Sequence, residues 1–127
     1  MQVIPKKWGY EKIIADTEFY LGKILVVYKG DHTSMHRHFE KDEVIYVHEG
    51  TLIYSWLDVL GQFEFEFVYE KGTSVRVKPG TWHRLSSTEK SHVILIETST
   101  PFPDDSQRFD DRFDDRLKDD KVSKNKS

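Results

Sequence analysis

An all-β sandwich or barrel is the fold class the sequence predicts, and three observations predict it. Between about Gly22 and Glu97 the chain breaks into short apolar runs closed off by glycine-containing turns, at spacings of about 8 to 12 residues. In QFEFEFVYE, residues 62–70, Phe63, Phe65 and Phe67 alternate with Gln62, Glu64 and Glu66, which is the period of two that a half-buried strand requires. No convincing 3.6-residue period appears in this region. A chain of 127 residues leaves room for one domain, and its 37% hydrophobic and 13% aromatic content supports a packed core over disorder.

Taken in order, LGKILVVYKG supplies a strand around Lys23 to Tyr28, ended by Gly30 and Asp31. Met35 to Phe39 (MHRHF) reads as a short second strand. Glu43 to His48 and Thr51 to Trp56 are two runs joined at Glu49-Gly50, where glycine tolerates the positive φ of a hairpin turn. A break from Asp58 to Gln62 contains Gly61 and leads into the Phe-rich strand. Its phenylalanines, with Trp56, are expected in the core because alternation alone accounts for them. Lys71-Gly72 ends that strand and Ser74 to Val77 starts another. The turn Lys78-Pro79-Gly80-Thr81 then delivers Trp82 and His83, and His92 to Glu97 (HVILIE) is the last strong run. The expected organisation is an N-terminal arm (1–21), a barrel (22–100) and a charged tail (101–127). In the tail Phe109, Phe113 and Leu117 recur at every fourth position, as do Arg108, Arg112 and Arg116. That spacing predicts a short helix on the barrel, or a solvated tail, the latter especially from Lys118 onward.

Composition narrows the function classes. The formal net charge is −3 and Lys and Arg form no run before the tail, so no electrostatic footprint for nucleic acid is present. No window has the length and apolarity of a membrane span or a signal peptide, and a cytoplasmic location is expected. The chain has no cysteine, which limits any metal site to His and carboxylate ligands.

The chemistry concentrates in GDHTSMHRHFEKDEVIYVHEG, residues 30–50. On a strand, residues i and i+2 share a face with Cα atoms about 6.6 Å apart, so His36 and His38 can converge on one ion. Glu43 can close from the following strand, and His83, just after the Pro-Gly turn, offers a fourth ligand. Three imidazoles and a carboxylate suit a divalent transition metal, Zn, Fe, Mn, Ni or Co, better than Ca or Mg. His32, His48 and His92 fall outside this set. Parity sends His48 outward if Glu43 points inward, and His32 lies in the loop before the motif.

These residues resemble the cupin motifs. Gly30, His36, His38, Glu43 and Gly50 match G(X)5HXH(X)3,4E(X)6G at every spacing. Gly72, Gly80 and His83 match G(X)5PXG(X)2H(X)3N, with Lys78 where that pattern has Pro and Ser87 where it has Asn. The resemblance covers about residues 22 to 98 and implies a small barrel of two facing sheets, with His36, His38, Glu43 and His83 as metal ligands. A narrower resemblance, to the cupin domain of type II phosphomannose isomerases, rests on KKWGYE (6–11), GTWHRL (80–85) and DDSQRFDDRF (104–113). Lys7 and Phe113 depart from that family's Pro and Tyr, and the segment between His38 and Glu43 is longer.

The isomerase resemblance implies aldose-ketose isomerisation of a sugar phosphate, with the ion stabilising an enediolate while a base moves the proton. Arg84 is then the first choice for holding anionic substrate oxygens, with Arg112 as a second candidate and Trp82 as a wall of the substrate site. Arg76 and Lys78 are further cations, each read first as solvated. Glu97 is the candidate base, on condition that it faces the cavity with a raised pKa. A non-catalytic sugar-binding or accessory cupin and an iron-dependent dioxygenase are the alternatives. A homodimer is expected by resemblance.

Overall fold

The computed structural model describes residues 2–101 and 104–109. Eleven strands lie among them: β1 (Gln2–Lys6), β2 (Gly9–Asp16), β3 (Leu21–Val27), β4 (His36–Arg37), β5 (Glu43–Glu49), β6 (Leu52–Leu57), β7 (Glu64–Tyr69), β8 (Ser74–Val77), β9 (His83–Ser86), β10 (Val93–Ser99) and β11 (Gln107–Arg108). They form two antiparallel sheets, a six-stranded one in the order β1-β2-β3-β10-β5-β8 and a five-stranded one in the order β11-β4-β9-β6-β7. The pairings nest, β6 with β7, β5 with β8, β4 with β9 and β3 with β10. The barrel is therefore one long ribbon folded back on itself and rolled into a double-stranded β-helix.

Rolling explains the first departure from expectation. Glu49-Gly50 does not close a hairpin, because β5 belongs to the six-stranded sheet and β6 to the five-stranded one. The turn carries the chain between sheets. Gly50 is still required there: its φ is +84° and a Cβ would run into the carbonyl oxygen of His92.

Inward positions come from both sheets. Leu25, Val27, Ile45, Val47, Val77, Val93 and Leu95 meet Leu52, Tyr54 and Leu85 to form the buried core. The segment before residue 22 adds to the larger sheet, because β1 and β2 form a hairpin whose second strand pairs with β3. Trp8 enters the core from it. At Gly9 the hairpin passes so close to β3 that a Cβ would collide with the carbonyl oxygen of Val26, which accounts physically for the Trp-Gly pair in KKWGYE.

Phe63, Phe65 and Phe67 are not core residues; they are 64%, 42% and 47% exposed. Alternation says which face a side chain takes, not whether anything covers that face. β7 is an edge strand, and among the described residues its phenylalanines meet Trp56, whose ring stacks on Phe65 at 4.6 Å and is itself partly buried against the core, and Tyr69, 6.2 Å from Phe67. His48 points outward and is exposed, as parity required. The helix expected around Phe113 and Leu117, and with it Arg112, lies outside the described residues. Of that segment Phe109 is described, and its ring meets Trp82 edge-on at 5.2 Å.

Candidate metal centre

The larger sheet changes chemistry along its strands. Inward positions are apolar on one half (Val27 and Leu25, Val93 and Leu95, Val47 and Ile45) and become charged at Lys23, Glu97 and Glu43. Glu97 is paired with Lys23 on one side, and Ser99 beside it is paired with Glu43 on the other, so these charges share one end of the barrel. Facing them, β4 and β9 pair with His36 opposite His83, and His38 follows one residue after β4. The ligand atoms of His36, His38 and His83 lie within 4.8 Å of one another. Glu43 borders the trio, its Oε2 3.5 Å from His38 Nε2 and 3.3 Å from His83 Nε2. All four sequence-predicted ligands thus meet at one place.

The rings are oriented for coordination. Nδ1 of His36 lies 2.9 Å from the Ser34 carbonyl, that of His38 2.8 Å from Asp105 O, and that of His83 2.9 Å from Thr81 O. A carbonyl only accepts, so each Nδ1 carries the hydrogen, and in the neutral ring Nε2 presents its lone pair inward. Burial lowers the pKa of His36 well below the usual histidine value, reinforced by His83; burial likewise lowers that of His38, against the pull of Glu43. Burial disfavours ionisation of Glu43, but His83, Lys41 and His38 outweigh it and hold the carboxyl well below the ordinary range. Three imidazoles with Nε2 turned inward beside an ionised carboxylate form a donor set that fits a divalent transition ion.

Sequence reasoning missed the residues behind the ligands. Lys41 is buried, with Nζ 3.4 Å from Glu43 Oε1 and 2.7 Å from Glu97 Oε2. It comes from the segment between His38 and Glu43, and nothing in its spacing signals that it turns inward. Burial opposes its charge, yet Glu97 and Glu43 raise its pKa, so it stays protonated. Lys23 pairs with Glu11 at 3.1 Å. Its parity with Leu25 would have placed it inward. The carboxylate of Asp105 accepts the backbone N–H groups of Phe39, Glu40 and Lys41, which lowers its pKa despite partial desolvation and pins the segment that carries Lys41. The only sequence signal for Asp105 is its place in DDSQRF.

Glu97 is buried, and burial together with the charge of Glu43 raises its pKa to about 7, against the opposing effect of Lys41 and Lys23. A cavity of about 500 Å³ joins these groups, lined by the three histidines, Glu43, Lys41, Glu97, Lys23, Lys6 and Arg108 among others. Two expected substrate residues are not in its wall. Trp82 and Arg84 flank His83 in sequence, so strand parity turns both to the outer face of the five-stranded sheet. There Trp82 is buried between the Arg37 guanidinium, 4.7 Å from its ring, and Phe109. Arg84 approaches Glu64 at 3.9 Å. Arg76 and Lys78 are surface cations, Arg76 bound to Asp42 at 2.6 Å.

A double-stranded β-helix with three convergent imidazoles and a carboxylate inside one end defines a barrel equipped to hold a transition ion. The family follows from the sequence: the cupin domain model matches residues 23–99, and the chain belongs to the cupin family. No curated protein matches the sequence. Solved structures share the fold. The capsular polysaccharide assembling protein CapF from Staphylococcus aureus superposes with a TM-score of 0.74 at 16% identity, over 84% of this chain and 33% of CapF. A Klebsiella pneumoniae protein with a double-stranded β-helix domain gives 0.67 at 14%, over 77% and 81% of the two chains. Oxalate decarboxylase from Lactobacillus farciminis gives 0.75 at 14%, over 91% and 38%. This chain spans about a third of the length of CapF.

Elemental analysis of purified protein is expected to find one transition ion per chain. His36→Ala or His83→Ala should weaken its retention by at least about a hundredfold, beyond the usual effect of changing a residue behind a ligand. A second expectation concerns pH in metal-free protein. The folded-state pKa values of His36 and His38 lie below the unfolded value of about 6.5, so below that pH the unfolded chain binds more protons. Their contribution to stability is then full above about pH 6.5 and declines as pH falls towards the folded values. The raised pKa of Glu97 acts in the opposite sense over the same range, so urea midpoints of the Glu97→Gln variant at pH 7.5 and 5.5 measure the histidine effect, and a midpoint that does not fall at pH 5.5 would contradict it.

Proposed function

We propose that this cupin is a metal-dependent aldose-ketose isomerase acting on a small sugar phosphate. The observation that carries the reading is the juxtaposition, in one cavity, of the three-histidine group with a buried carboxyl whose pKa is about 7. His36, His38, His83 and Glu43 would hold the ion, which when bound supplies polarisation of the substrate's carbonyl and hydroxyl oxygens. Glu97 is the base: near pH 7 its carboxylate can take a proton from one carbon of the open-chain sugar and return it to the next. Lys41 fixes Glu97 from one side and Glu43 from the other, and its raised pKa keeps a positive charge beside both carboxylates. With Arg84 and Trp82 on the other face of the sheet, the phosphate falls to Lys6 and Arg108 in the cavity wall.

A homodimer in the cytoplasm completes the reading. Among the described residues no helix is long and apolar enough to cross a membrane. The outward face of the six-stranded sheet carries Ile24, Val44, Tyr46 and Ile96 on three adjacent strands, where an antiparallel sheet facing water carries polar groups. Two copies of this face pack isologously.

A coupled assay on mannose 6-phosphate and related sugar phosphates tests the function. Wild-type protein should interconvert at least one pair, and Glu97→Gln should lower kcat by about a hundredfold or more while metal content is unchanged. Ligand binding without turnover would mean an accessory cupin, and oxygen consumption a dioxygenase. Light scattering should give the mass of two chains, and Tyr46→Glu should shift it towards one; an unchanged mass would move the interface elsewhere.

A further inference from the structure

His83 and Arg84 are consecutive on β9, so the strand that turns an imidazole to the metal cavity turns a guanidinium to the opposite side of the sheet. Behind Arg84 lies a second cavity of about 430 Å³. One wall is basic, formed by Arg84 and Arg108 with His32 at its edge, and the other is apolar, formed by Met35, Leu57 and Phe109. The turn that closes it is held by Asp58, whose carboxylate accepts the N–H groups of Gln62 and Phe63.

Arg84 Nε is buried, and no described residue accepts its hydrogen bond. Among the described residues the carboxylate in the wall, Glu64, reaches Nη1 only at 3.9 Å and is 45% exposed, which leaves Nε without a close acceptor. A buried donor with no acceptor is costly, and a planar guanidinium is met best by the two oxygens of a carboxylate or phosphoryl group. His32 adds a polar edge: its Nδ1 is engaged by the Thr33 carbonyl at 2.7 Å, leaving Nε2 for a hydroxyl or protonated oxygen.

We infer that this cavity is a second, metal-independent binding site for a small organic anion, with its carboxylate or phosphoryl group on Arg84 and its apolar body against Met35, Leu57 and Phe109. The site shares Ser34 and Arg108 with the metal cavity but none of the metal ligands. Carboxylates of the same chemistry also lie in the chain itself, nearest in sequence Asp110 and Asp111, which directly follow Phe109.

The full-length, metal-loaded protein should be titrated with inorganic phosphate and with phenyl phosphate while the Arg84 Nε–H resonance is followed by NMR. The expected result is a saturable shift of that resonance, with phenyl phosphate binding about tenfold more tightly than inorganic phosphate because it also fills the apolar wall. Arg84→Gln should weaken binding at least tenfold, and Arg84→Lys, which keeps the charge and loses the fork, should weaken it partly, with metal content unchanged in both. An Arg84 resonance that never moves in the wild-type protein overturns the proposal without need of any variant. So does binding that appears only when Asp110 and Asp111 are both changed to Asn, which would assign the cavity to the chain's own carboxylates. Neither result depends on isomerase turnover.

Discussion

The pairing of His36 with His83 across β4 and β9 is the constraint on which the candidate centre depends. β4 is two residues long and joins β9 through that single register partner, so little in the strand itself would hold it there. The support comes from around it. β11 pairs with the other edge of β4, Gly80 N–H donates to the His38 carbonyl at 2.7 Å, and Thr33 and Leu85 exchange hydrogen bonds just beyond. A one-residue slip of β4 would replace His36 with Arg37 or Met35 on the inner face and dismantle the site. The register is therefore a functional quantity, and the segment 104–108 is part of the machinery that sets it.

The second feature is a line of buried charges from Glu43 through Lys41 to Glu97, with Lys23 and Glu11 beyond. Burying ions is expensive, and such groups could be replaced by apolar residues of similar size with little or no loss of stability. Their value lies in positioning and in tuning. Lys41 pulls both carboxylates down and their other neighbours set them apart: His83 and His38 help to hold Glu43 ionised, while Glu97, desolvated and facing the charge of Glu43, is drawn up to about 7. Two acids of the same chemistry thus acquire different roles from their surroundings.

Much of this was legible in the chain. Strand positions, the inward parity of Glu43 and outward parity of His48, the convergence of His36, His38, His83 and Glu43 and the cupin motifs all follow from spacing, because a strand has a fixed period and coordination needs fixed residue types. Two readings failed for reasons that spacing cannot carry, and a third pair of residues lies on a face that strand parity sets. Phe63, Phe65 and Phe67 share a face, but only the sheet order shows that β7 is an edge, where the described residues leave them exposed. Gly50 demands a positive φ, but only the topology shows that its turn changes sheets. Arg84 and Trp82 adjoin a ligand in sequence, and adjacency on a strand places them on the opposite face from it.

By itself, then, the sequence determined the class of fold, the four residues around the candidate ion and the absence of any thiolate chemistry, since these depend on local period and side-chain type. The tertiary structure alone decided that Lys41 reaches Glu97, that Asp105 holds the segment between the ligands, that Glu97 is desolvated enough to titrate near neutrality and that a second basic cavity backs the first. The physical reason is that burial and long-range contact are properties of what packs against a residue, and in a rolled ribbon those partners come from strands far away in the chain.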